Sequence, residues 1–143
     1  MWILAGSVLV YLITFAIHAV VTAAIVVATR RIHRATGEAG MFLRLSSLLT
    51  VTMIALVFAH VIEIVVWASY FSAVGLQVKN AGLFEFAFEN YTALGYGDAL
   101  PLERYRAIGP ITALNGLLLI GWSVAVIFEV MRMAELQFGR RDR

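Results

Sequence analysis

Apolar residues run through this chain in long unbroken blocks, not on the one-sided stripe of a soluble helix. Residues 2–29 contain no Asp, Glu, Lys or Arg. At about 1.5 Å per residue the block is longer than a hydrocarbon core of roughly 30 Å, so it predicts a membrane-crossing helix. It stops at Arg30-Arg31-Ile32-His33-Arg34, and Thr36-Gly37-Glu38-Ala39-Gly40 reads as a short loop. Residues 45–74 form a second block, interrupted by His60 and Glu63. It is rich in Val, Ile and Phe, but its length predicts helix rather than strand. Residues 75–80 read as a turn, and residues 82–92 as a short helix of about 16 Å. That length dips into a bilayer but does not cross it. The chain then has to return through a glycine-bearing stretch to the side it came from. Residues 102–106 read as polar and surface-like, residues 106–130 as a third crossing helix with its apolar span over 108–130, and residues 131–143 as a basic tail.

Composition agrees with the pattern. The 143 residues are 62% hydrophobic and 14% charged, against about 45–50% and about 25% in soluble domains. At this length they predict one membrane-embedded domain. There is no cysteine, which excludes disulfides, thiolate metal sites and cysteine nucleophiles. The first block lacks a basic start and is too long for a signal core, so it reads as a retained helix.

The net charge of +2 says less than its distribution. Arg30, Arg31, Arg34 and Arg44 follow the first block, and Arg132, Arg140, Arg141 and Arg143 close the chain. Only Lys79, Arg104 and Arg106 flank the short helix. The positive-inside rule puts the first loop and the tail in the cytoplasm and the N-terminus outside, so the short segment enters from outside. The partners expected are membrane lipid, with the tail at the anionic inner leaflet, and neither nucleic acid nor a small-molecule substrate.

Between the short helix and the third crossing lies Thr92-Ala93-Leu94-Gly95-Tyr96-Gly97-Asp98. Two glycines one residue apart allow a backbone that is neither helix nor strand, because glycine visits positive φ at little cost. Such a backbone can turn successive carbonyls to one side, and a membrane tolerates it only where it is buried in protein or lines a water-filled cavity. The stretch resembles the Thr-x-Val-Gly-Tyr-Gly-Asp signature of potassium channels, with Leu94 in the Val place. The layout of helix, short helix, Gly-Tyr-Gly stretch and helix is similar to that family's pore module over residues 45–130. The segment from Leu114 through Gly116, Gly121 and Trp122 to Ser123 resembles the inner helix of small bacterial ion channels.

The resemblance implies an all-α membrane protein with three transmembrane helices, a re-entrant pore helix and a selectivity filter, assembled as a homotetramer. It implies a bacterial inner membrane, no enzymatic activity, no cofactor, and potassium as the permeant ion. Carbonyls of Thr92, Ala93, Leu94, Gly95, Tyr96 and Gly97 would line the filter, with the Thr92 hydroxyl at its inner end. Glu89 and Asp98 would share a hydrogen bond behind it. Gly116 or Gly121 would serve as a gate hinge, although both also suit close helix approach. Residues 1–30 fall outside the module, as an added outer helix joined by a cytoplasmic loop at 31–44. The chain departs from the family pattern at Ala93, where a second threonine is usual, at Glu85 and Phe86, where a tryptophan pair is common, and at Leu94, which is less stiff than a β-branched residue.

The remaining polar residues carry open alternatives. His18 and His60 lie at similar depth, and Glu63 shares a helix face with His60. They fit an interhelical hydrogen bond, a pH-sensing cluster, or a metal or bis-histidine haem site. Glu129 and Arg132 fit an intrahelical ion pair, or a ring of Glu129 carboxylates at the inner mouth. The expected function is passive potassium transport. The alternatives are a weakly selective monovalent cation channel, a haem- or metal-binding membrane protein using His18 and His60, and a non-conducting structural subunit. The absence of an arginine-rich helix predicts no steep voltage dependence.

Overall fold

The computed structural model describes residues 2–35, 41–95 and 101–138. The described residues form four α-helices: α1 (Trp2–Ala35), α2 (Met41–Ala73), α3 (Leu83–Tyr91) and α4 (Ile108–Phe138), with a 3₁₀ turn at Glu103–Tyr105. Three helices are long and apolar enough to cross a membrane, over Trp2–Arg31, Leu45–Ala73 and Glu103–Ala134. The nine residues of α3 reach about 14 Å and do not cross.

Helix ends and membrane ends differ here. α1 continues through the arginines to Ala35, α2 already starts at Met41, and α4 runs to Phe138, into the segment expected to be a tail. Arginine and glutamate are good helix formers, so a polar stop ends the apolar span without ending the helix. α4 begins at Ile108, two residues later than expected, and tolerates Pro110 because a proline in the first turn removes no helical hydrogen bond.

Polar side chains are mixed into an apolar interior, and large apolar side chains cover the outside. Ser7, Thr14, His18, Thr52, Glu63, Thr112, Asn115 and Ser123 are buried, while Val20, Phe42, Ile54, Phe58 and Phe128 are exposed. Lipid is as apolar as leucine, so helices in a membrane associate through close packing and interhelical hydrogen bonds instead of the hydrophobic effect. Both devices appear. A Cβ on Gly6 would sit 2.7 Å from the Tyr70 hydroxyl, which donates to the carbonyl of Ile3 at 2.5 Å and so fixes α1 on α2. Between α2 and α3, Phe71 and Phe86 meet with ring centroids 5.5 Å apart.

The segment after α2 turns back through Gly75 (φ 68°) and Asn80 (φ 62°). Val78 bridges antiparallel to Pro101. Residues 102–106 are not wholly surface: Tyr105 is buried and donates to the Val74 carbonyl at 2.8 Å. An aromatic ring in this otherwise polar run clamps the start of α4 to the end of α2. α3 is held between α2 and α4.

Candidate functional site

Two features converge where α3 ends: a turn of unusual backbone and a buried polar cluster. The turn follows from how α3 stops. Thr92 caps the helix, Ala93 N–H donates to the Asn90 carbonyl at 2.9 Å, and Leu94 N–H donates to the Glu89 carbonyl at 2.9 Å. This pair of bonds is the Schellman motif, which requires a left-handed residue between the cap and the second donor. Glycine usually stands there. Here it is Ala93, with φ 55°.

Gly95 is again left-handed at φ 56°, whereas Thr92 at φ −84° and Leu94 are not. Alternating hand along a backbone turns successive N–H groups to one side and successive carbonyls to the other. The Thr92 hydroxyl donates to the Phe88 carbonyl at 2.8 Å, which leaves its oxygen lone pairs for another partner. Tyr96, Gly97 and Asp98 lie outside the described residues. Among the described residues the Glu89 carboxylate forms no hydrogen bond. Glu85 is exposed and accepts from the Gly82 N–H at 3.3 Å at the start of α3, while Phe86 is buried.

The cluster gathers His18 from α1, His60 and Glu63 from α2, Tyr91 from the last turn of α3, and Ser123 from α4. His18 and Glu63 are fully buried, and the His60 side chain is 19% exposed. His18 Nδ1 lies 2.9 Å from Glu63 Oε1 and His60 Nδ1 lies 3.1 Å from Oε2. Tyr91 donates its hydroxyl hydrogen to Oε2, and its oxygen lies 2.8 Å from His60 Nδ1. On the far side of both rings, Ser123 Oγ lies 2.9 Å from His60 Nε2 and 3.3 Å from His18 Nε2. Trp122 packs on the His18 ring with centroids 5.5 Å apart. The structure therefore brings His18, His60 and Glu63 together and adds Tyr91 and Ser123. Ser123 Oγ occupies the space between the two Nε2 atoms that a bis-histidine haem iron needs, so the cluster does not suit haem.

A second relay was not foreseen from the sequence. Buried Asn115 on α4 accepts at Oδ1 from the Trp67 indole N–H (2.8 Å) and lies 2.9 Å from the Thr14 hydroxyl, whose one hydrogen is shared with the Tyr11 carbonyl at the same distance. Indole nitrogen only donates, which assigns Oδ1 to that side. The relay joins α1, α2 and α4, about one helical turn from His18 on α1 and from Glu63 on α2, and about two turns from Ser123 on α4. Its one legible signal was an asparagine inside an apolar crossing segment, where a polar side chain is costly unless partnered.

The glycines of α4 differ in surroundings. A Cβ on Gly116 would overlap the Tyr91 carbonyl oxygen, so α4 presses on the last peptide of α3. At Gly121 a Cβ would meet nothing within 4 Å. Glu129 and Arg132 form an exposed ion pair at 3.8 Å.

Three apolar crossing helices around a polar interior, with a fourth helix too short to cross, define a multi-pass membrane protein. A model of a family described as ion channel matches residues 47–133, more than half of the 143 residues. The chain belongs to this ion channel family, whose work is ion transport across a membrane. The match includes His60, Glu63, Tyr91 and Ser123 but leaves out α1, and with it His18. A search of curated proteins gives no match, and neither does a search of solved structures.

Proposed function

We propose that four copies of this chain surround an axis and pass potassium ions through a filter of backbone carbonyls from Thr92, Ala93, Leu94, Gly95, Tyr96 and Gly97. The observation that carries this reading is the alternation of backbone hand from Thr92 to Gly95 at the end of a helix too short to cross the membrane. One chain offers a single strip of carbonyls, and an ion stripped of water has to be surrounded. A closed four-fold ring meets that need, as in potassium-channel filters. α3 is then the re-entrant pore helix, entering from the outer face, with the N-terminus outside and the C-terminus in the cytoplasm. The partial negative charge at its C-terminal end favours a cation beneath the filter. Glu89, unpartnered among the described residues, supports the filter from behind through Asp98. No cofactor takes part in conduction.

Purified protein in liposomes tests this through reversal potentials under opposed potassium and sodium gradients. A reversal near the potassium equilibrium potential is expected. A reversal near zero favours the second reading, a weakly selective cation channel. That reading draws on Ala93, which offers a carbonyl but no hydroxyl to the innermost site. No flux at all removes both and leaves a structural subunit.

A further inference from the structure

The cluster around Glu63 ties α1, outside the family match, to three helices inside it, and its hydrogens do not add up. A carboxylate only accepts. Both Nδ1 atoms face Glu63 or the Tyr91 oxygen, whose own hydrogen is given to Glu63, so both Nδ1 atoms carry hydrogen. In a neutral imidazole the other nitrogen is then a bare acceptor. Both Nε2 atoms face Ser123 Oγ, and a hydroxyl has one hydrogen to give. One of the two contacts therefore sets lone pair against lone pair in a buried site. With both imidazoles neutral the cluster lacks one positive charge, which a proton on one ring or a metal ion would supply.

We propose that a divalent transition-metal ion of the zinc class fills this place, held by His18 Nδ1, His60 Nδ1 and the Glu63 carboxylate. The donor atoms of these three residues all lie within 4.8 Å of one another. Zinc bonds of about 2.0–2.1 Å in a tetrahedron put ligand atoms roughly 3.3 Å apart. His18 Nδ1 lies 2.9 Å from Oε1 and His60 Nδ1 3.1 Å from Oε2, so for an ion to enter, both nitrogens move out by a few tenths of an ångström and both rings turn off the carboxylate oxygens they now face. With the ion on both Nδ1 atoms, the ring hydrogens move to Nε2. Ser123 Oγ, with two lone pairs, then accepts from both rings and every contact is made. Metal-bound histidines characteristically donate their second N–H to a protein oxygen, and Ser123 stands where that oxygen has to be. Tyr91 fixes the carboxylate in the same way and offers its oxygen, or room for water, at the fourth corner. Two imidazoles and one carboxylate select zinc-like ions over calcium or magnesium, which prefer oxygen alone. His60, the half-buried member, gives the way in. The bound ion fastens α1 to α2, and through Ser123 and Tyr91 to α4 and α3.

The test uses the full chain purified in detergent, stripped with a chelator and dialysed against zinc chloride, with bound metal counted by atomic emission. About one zinc per chain is expected for the wild type, as for other three-ligand protein sites. Glu63→Gln and His18→Gln lose it. Cobalt in place of zinc gives the visible absorption of a four-coordinate site. Ser123→Ala keeps all three ligands and removes only the outer hydrogen bonds, so it should weaken zinc binding about 10- to 100-fold. That variant carries the test if removal of a ligand prevents assembly. The proposal is overturned if the wild type retains no more zinc than Glu63→Gln, or if Ser123→Ala binds as tightly as the wild type. Bound metal is read directly, so the result stands apart from whether the pore selects potassium.

Discussion

Replacing Gly116 by alanine tests how closely α4 supports the end of α3. The added methyl would overlap the Tyr91 carbonyl oxygen and lie 2.7 Å from its carbonyl carbon and 3.0 Å from its Cα. The Cβ would stand only 1.8 Å from that oxygen, and atoms in contact rest at more than about 3 Å, so the two helices have to part by roughly 1.5 Å. The obstacle is backbone, which cannot swing aside as a side-chain tip does. Overpacking costs about 1–3 kcal/mol, and a rigid backbone neighbour puts this site at the upper end, about 3 kcal/mol. Alanine also gains about 1 kcal/mol over glycine in helix propensity. Gly121→Ala shares that gain and meets nothing within 4 Å, so the difference between the two variants isolates the overlap. Unfolding of both in the same detergent is the assay. Gly116→Ala should be the less stable by about 3 kcal/mol, and its liposome flux should fall because Thr92 follows directly on Tyr91. Equal stability of the two variants would refute the reasoning. A stable Gly116→Ala chain with altered opening would show a hinge instead.

Three further outcomes follow from the same contacts. Tyr91→Phe removes the hydroxyl shared by Glu63 and His60, and should cost about 1.5–3 kcal/mol in detergent unfolding, the range for hydrogen bonds to charged groups. A stability equal to the wild type would show that water replaces the hydroxyl. Ala93→Gly removes the left-handed penalty of an L-residue and should stabilise the chain by up to about 1 kcal/mol, while Ala93→Val should do the reverse; the same unfolding curves decide. Glu129→Gln should leave stability within about 0.5 kcal/mol, because the pair with Arg132 is exposed. If four Glu129 carboxylates ring the inner mouth, potassium flux in that variant falls at low ionic strength and recovers at high, and unchanged flux at both removes that role.

The sequence by itself determined the class of the protein. Block lengths fixed three crossing helices and one that is too short, because bilayer thickness and helix rise are constants that a single chain cannot evade. The positions of glycine marked Thr92 to Asp98 as irregular backbone, and the cost of burying charge marked His18, His60 and Glu63 as residues in need of partners. What the partners are was decided only in three dimensions. Ser123 is an ordinary side chain in an apolar run and Tyr91 one between Asn90 and Thr92, and neither carries a local sign of its role. They matter because four helices place Tyr91 against the Glu63 carboxylate and Ser123 against the two imidazoles beside it. Gly116 and Gly121 look alike in sequence, yet one faces the backbone of α3 and the other open space, since helix rotation is set by packing. Helix ends were misread for a related reason. A run of arginines marks where the membrane stops, and the helix continues because its own hydrogen bonds do not depend on lipid.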